Sequence, residues 1–111
     1  MHALDRTLNA LADPTRRRIV DLLRREPRRA SDLADAVGAS RPATSRHLRV
    51  LRDSGLVDSA DDETDDARER TYTLRKEPFD RLRGWLDEVD AFWTGQLASF
   101  ADHVARTRGK R

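Results

Sequence analysis

From Phe79 onward the chain carries an apolar stripe that a domain of this size cannot cover alone. Phe79, Leu82, Leu86, Val89, Trp93, Leu97, Phe100 and Val104 follow at spacings of three or four, with Trp85 and Phe92 beside the stripe. That is the period of one helix face. Pro78 suits a first helical turn, where its missing N–H leaves no bond unmade, so a helix over 78–105 is predicted. About 28 residues at about 1.5 Å each make a rod of about 42 Å. Large apolar side chains are each worth about 1.5–3 kcal/mol when fully buried; left wet, they form a patch of the kind that marks an interface. The expectation is a homodimer built from this helix and an N-terminal one over 3–12. Leu4, Leu8, Leu86, Val89, Trp93, Leu97 and Phe100 are expected at the contact. The competing arrangement folds the long helix back on its own domain.

The remainder of the chain has little with which to build a large core. Of 111 residues, 38% are charged and 5% aromatic, which predicts one compact domain over 1–111 with a small interior. Cysteine is absent, removing disulfides, thiolate chemistry and Cys-ligated zinc together. No apolar run approaches the roughly 20 residues of a membrane span, and "MHALDRTLNALADPTRRR" lacks the apolar core of a signal peptide. A cytoplasmic protein without membrane contact is expected.

Boundary signals divide what precedes the stripe. Leu4, Leu8 and Leu11 share one face of a short helix. Asp13 followed by Pro14 starts a second, with Ile19, Leu22 and Leu23 inward and Pro27 as its stop. Ser31 is expected to cap a third, holding Leu33, Ala34 and Val37, with Gly38 at its left-handed end. Ser40 caps a fourth, Pro42 sits in its first turn, and Gly55 closes it. Two helices over 31–54 with a turn of about three residues between them read as a helix-turn-helix. "LVDSA" and "RERTYTLR" then favour two short strands joined by an acidic loop. A hairpin in that position, over 56–75, is a wing. The expected fold is mainly α with a small β-hairpin, a winged helix-turn-helix of order α-α-α-α-β-β-α.

On the fourth helix, Thr44, Leu48 and Leu51 share the inward face. Pro42, Arg46, Arg49 and Asp53 lie opposite, flanked by Ala43, Ser45 and Arg52. Four arginines and no acid fall between residues 40 and 52. A solvated face ordinarily mixes signs through i,i+4 pairs; this one repels itself. The major groove of DNA admits one helix, whose first turns meet base edges between walls of phosphate. Ser40, Arg41, Ala43, Thr44, Ser45, Arg46, Arg49 and Arg52 are therefore the candidate DNA-binding residues, joined by Arg68 and Arg70 at the base of the wing. Arg41, Ser45 and Arg46 are assigned to bases, with phosphate as the alternative for Arg46. Arg49 and Arg52 are assigned mainly to phosphates. His47, beside the apolar face, is expected to hydrogen-bond structurally rather than bind a ligand.

These segments together resemble a known family. "ALADPTRRRIVDLL", "SDLADAVGASRPATSRHLRVLRDSGLV" and "RERTYTL", with the S-x-P-x-x-S-x-H-L-x-x-L pattern from Ser40 to Leu51, are similar to the ArsR family of winged-helix transcriptional regulators. The resemblance implies a dimeric repressor docking its helix-turn-helix on an operator and pairing through its outer helices. "FDRLRGWLDEVDAFWTGQL" resembles a branch without metal sensing, whose members are often self-repressing. Family members that sense metals use cysteines, absent from "SDLADAV", or paired histidines on the last helix. Here that helix offers Asp87, Glu88, Asp90, Asp102 and a single His103. No metal and no other cofactor is expected, and the sequence names no small-molecule effector.

Two features fit less simply. Asp58, Asp61, Asp62, Glu63, Asp65 and Asp66 put six acids within nine residues of the wing. The favoured reading is a solvated loop held off the DNA; a weak hard-cation site is the alternative, without the glycine and spacing of an EF-hand. Arg16, Arg17, Arg18, Arg24, Arg25, Arg28 and Arg29 read as solvated arginines or as flanking phosphate contacts, with Asp21 placed for local pairing to Arg17 or Arg18. The competing function is a winged-helix protein-interaction module without specific DNA readout. An enzyme is not expected: there is no glycine-rich phosphate loop and no nucleophile at a recognisable spacing from a base.

Overall fold

A computed structural model describes residues 2–60 and 70–108. Its elements run α1 (Ala3–Leu11), α2 (Pro14–Leu23), β1 (Arg28–Arg29), α3 (Ala30–Val37), α4 (Arg41–Asp53), β2 (Val57–Ala60), β3 (Thr71–Leu74) and α5 (Glu77–Arg108). They form two compact units, one ending at Asp80 and the other beginning at Arg81.

In the first unit each helix begins and ends where side-chain chemistry permits. His2 Nδ1 accepts from the Leu4 amide at the start of α1. Asp13 Oδ1 accepts from the amides of Thr15 (2.8 Å) and Arg16 (3.1 Å), with Pro14 at the first helical position of α2. The Arg16 amide above all holds the Asp13 carboxyl below its ordinary 3.8; the Thr15 amide and the His47 and Arg16 charges act the same way, and desolvation opposes them. Gly38 (φ 67°) and Gly55 (φ 77°) take the left-handed conformation that ends α3 and α4. In both places the bonding is that of a Schellman motif. Gly38 N–H donates to Asp35 and Ala39 N–H to Ala34; Gly55 N–H donates to Arg52 and Leu56 N–H to Leu51. Leu51 and Leu56 are both fully buried, so the second motif also closes on an apolar contact site.

The sheet has one more strand than the expected hairpin. β3 pairs antiparallel with β2 (Val57 opposite Leu74, Ala60 opposite Thr71) and, on its other edge, with β1 (Arg28 opposite Tyr72, Arg29 opposite Thr71). This third strand changes the entry to α3. The Ala30 amide donates to Arg70 O, and the helix starts at Ala30 directly from the strand, with Arg29 in the cap position and no side-chain cap. Ser31 therefore lies inside α3 and does not cap it.

The core gathers Ala10, Ile19, Leu23, Leu33, Leu48, Leu51, Leu56, Val57 and Tyr72 from α1 to β3, with Phe79 partly buried against it. The arginine run of α2 is built into this frame. Arg16 Nε donates to Ala10 O (2.7 Å) and its guanidinium to Asn9 O (3.2 Å); Arg17 donates to Leu11 O (2.9 Å) and Ala12 O (3.1 Å). These carbonyls lie in the last turn of α1 and at its cap, where intrahelical partners run out, although Asn9 O also accepts the Ala12 amide (3.2 Å). Arg18 donates to Ala36 O in α3 (3.3 Å). The three arginines thus secure helix ends, neither simply solvated nor reserved for phosphate. Asp21 pairs with Arg24 (3.3 Å), not with Arg17 or Arg18.

The second unit is the body of α5. Along it Trp85, Leu86, Val89, Phe92, Trp93, Leu97 and Phe100 are exposed, the last two at 67% each. Phe92 and Trp93 meet edge to face, ring centroids 5.8 Å apart. Against the first unit's core, α1 keeps Leu8 exposed and Leu4 half-buried.

Candidate nucleic-acid interface

Helix α4 has one dry face and one bare one. Thr44, Leu48 and Leu51 are buried, the last two within the core. Ser40 opens the helix by accepting the Ala43 amide on Oγ (3.2 Å), and Pro42 occupies the first turn. With the inward face fixed by packing, the 3.6-residue period leaves Arg41, Pro42, Ser45, Arg46, Arg49, Arg52 and Asp53 exposed. Among the described residues, none of these four arginines forms an ion pair with an acid. Ion pairs among the described residues lie elsewhere, for example at Arg24–Asp21, Arg28–Glu26 and Arg75 with Asp58 and Glu77.

The helix is also braced from behind. His47, half-buried, sets Nδ1 3.4 Å from an Arg16 guanidinium nitrogen, and that guanidinium is held by the last turn of α1. The expected structural role of His47 is the one the geometry supports.

Of the residues expected to meet DNA, Ser40, Arg41, Ser45, Arg46, Arg49 and Arg52 are exposed on α4 or at its cap, and Ala43 is half-buried there. Thr44 is corrected: at 1% exposure it belongs to the buried face of α4 and not to the exposed set offered to a DNA groove. Arg70 is half-buried at the foot of β3, its carbonyl engaged by the Ala30 amide. Arg68 and the acids from Asp61 to Asp66 lie outside the described residues. Asp58, the one member of the acidic stretch within them, pairs with Arg75 (3.7 Å).

Beside the bare face lies a cleft of about 470 Å³ between α4, the start of α3 and β3. Arg41, Arg49, Arg52 and Arg70 line it together with the apolar side chains of Ala30, Leu48 and Tyr72. Sequence reasoning treated Ser31 as a cap and Tyr72 as a strand former, and so missed both as lining residues. Ser31 comes beside α4 through the packing of α3 on α4, and Tyr72 through the pairing of β3 with β2. No cluster of three or more His, Asp or Glu side chains that could hold a metal ion occurs among the described residues.

Residues 13–59 match the family described as "Bacterial regulatory protein, arsR family". Over 100 residues the chain is 39% identical to HTH-type transcriptional regulator Rv2034 of Mycobacterium tuberculosis, covering 90% of this chain and 87% of that protein. Among solved structures, the ArsR-like transcriptional regulator from Rhodococcus sp. RHA1 gives a TM-score of 0.79 at 30% identity, covering 95% of this chain and 92% of that one. The homodimeric winged helix-turn-helix DNA-binding domain Mb0332 from Mycobacterium bovis gives 0.63 at 27% identity, covering 80% and 79%.

Proposed function

The chain belongs to the arsR family of bacterial regulatory proteins and is a DNA-binding transcriptional regulator; we propose that it acts as a homodimeric repressor on a near-palindromic operator. One observation carries the DNA reading: α4 presents four exposed arginines, none paired with an acid among the described residues, opposite a face locked into the core. Unpaired guanidiniums on a rigid helix suit a polyanion with a groove one helix wide. Arg41, Ser45 and Arg46, in the first turns, take base edges. Arg49 and Arg52, further along, take phosphates, as does Arg70 at the foot of the wing.

Homodimer formation follows from α5. Its exposed Leu86, Val89, Trp93, Leu97 and Phe100 need an apolar partner, and a second copy offers the same surface. The Mycobacterium bovis domain, itself homodimeric, supports this. Two α4 helices related by a two-fold axis read half-sites about 34 Å apart. A protein so seated occludes its stretch of promoter, which is repression by exclusion. No helix among the described residues is long and apolar enough to cross a membrane.

Fluorescence anisotropy against duplexes enriched from a random pool tests this reading. Arg46→Ala is expected to cost about 1–3 kcal/mol on the selected site and to flatten the preference for it. No selective enrichment from the pool would leave the protein-interaction reading in its place.

A further inference from the structure

The cleft beside α4 has the makings of a ligand site of its own. Among the described residues, four arginines line it against a single carboxylate, Asp53. Its apolar lining comes from Leu48 and Tyr72, which are 1% and 8% exposed and held in the core. Thr44 also lines it, and its Oγ1 is buried without a hydrogen-bond partner among the described residues. A buried hydroxyl in that condition is a standing cost that an incoming acceptor removes. The volume, about 470 Å³, lies within the range of small-molecule sites. A backbone phosphate of DNA could use the cations but offers nothing apolar to Leu48 and Tyr72.

We propose that this cleft binds a small organic anion, a flat apolar body carrying one carboxylate or phosphate, and that the occupant displaces DNA. The body lies against Leu48 and Tyr72, the Thr44 hydroxyl donates to the anionic group, and Arg41, Arg49 and Arg52 neutralise it. Because those arginines are the ones assigned to bases and phosphates, ligand and operator compete for them. The displacement rests on the DNA reading of α4; binding to the cleft does not.

The full chain is titrated with 2-naphthoate by calorimetry and by two-dimensional NMR, with 2-naphthamide, 1-naphthyl phosphate and inorganic phosphate as companions. The expected result is one 2-naphthoate per chain, with amide shifts at Ala30, Thr44, Leu48 and Tyr72. 1-Naphthyl phosphate should bind alike, the neutral amide about tenfold more weakly, and inorganic phosphate more weakly than either aryl anion. Thr44→Val is expected to weaken 2-naphthoate about tenfold and Thr44→Ser to restore it, circular dichroism showing both folded. No binding at about 1 mM 2-naphthoate would overturn the site. Equal affinity for the amide would overturn the anion requirement, and shifts confined to α5 would place the ligand on the wrong surface. DNA binding is followed in parallel by anisotropy. Saturating 2-naphthoate should raise the apparent Kd for the operator, and an unchanged Kd would overturn displacement alone. Ligand binding by a chain that binds no duplex would leave the cleft in place and remove the DNA reading.

Discussion

Arg49→Ala separates a working phosphate contact from a charge that merely faces water. Arg49 is exposed on α4 with no acid paired to it among the described residues, and alanine is the better helix former. Folding stability should therefore move by no more than about 0.5 kcal/mol. Its effect on DNA is of another kind. Each phosphate neutralised contributes about −0.9 to the slope of log K against log salt. A homodimer carries two copies of Arg49, so the substitution should make that slope shallower by about 1.8.

The magnitude is convenient to measure. Between about 50 and 200 mM salt, a fourfold change, a slope difference of 1.8 amounts to about a twelvefold smaller loss of affinity for the variant than for the parent. Anisotropy at five or six salt concentrations resolves this, and a random-sequence duplex should show the same difference as the operator. Arg46→Ala is the control of opposite character, losing more affinity on the operator than on random sequence if Arg46 reads a base. An Arg49→Ala slope equal to that of the parent would refute the phosphate assignment. A change of about 0.9 would mean that only one copy engages the duplex.

Other substitutions test the frame and the pairing. Gly38→Ala places a Cβ at φ 67° with no atom within 4 Å to clash with, so its cost is purely conformational; about 1–2 kcal/mol in urea unfolding is expected, and less for Gly38→Asn. Leu97→Asp, on a residue 67% exposed in α5, should leave the far-ultraviolet spectrum intact and shift sedimentation to the monomer. A dimer that survives it would move the interface elsewhere. Asp13 has a folded pKa below its ordinary value, so its contribution to stability is complete above about pH 4 and is lost as pH falls through the folded value. The melting difference between Asp13→Ala and the parent should thus be present at neutral pH and fade in acid; a difference that persisted at low pH would remove the carboxylate from the account.

What the sequence discloses and what it hides follow from the range of the interactions involved. α4 is legible because everything that defines it is local: the Ser40 cap, Pro42 in the first turn, the stripe of Leu48 and Leu51, and Gly55 just past the end. α5 is legible for the same reason, its spacing showing both the helix and its bare face. β1 is not. Two arginines carry no strand signal, and Arg28–Arg29 is extended only because it pairs with Tyr72 and Thr71, more than forty residues on. Once that pairing exists α3 starts at Ala30, and Ser31 loses the capping role its residue type suggests. Thr44 shows the limit of counting by residue type. A small polar residue near the start of a recognition helix looks available to DNA, but its angular position beside Leu48 and Leu51 puts it indoors.

The arginines make the same distinction within one residue type. Arg16, Arg17 and Arg18 sit just after the end of α1, where a helix presents carbonyls without partners, and each guanidinium donates to at least one backbone oxygen. Arg16 also reaches His47, so the end of α1 and the back of α4 are held by one side chain. On the opposite side of α4, no acid among the described residues pairs with Arg46 or Arg49. A charge already paired would have to give up that partner before it could meet phosphate, whereas these give up only water. Arg16 therefore braces the recognition helix from behind, and with that backbone already fixed only the side chains of the outward arginines have to be ordered when a duplex arrives.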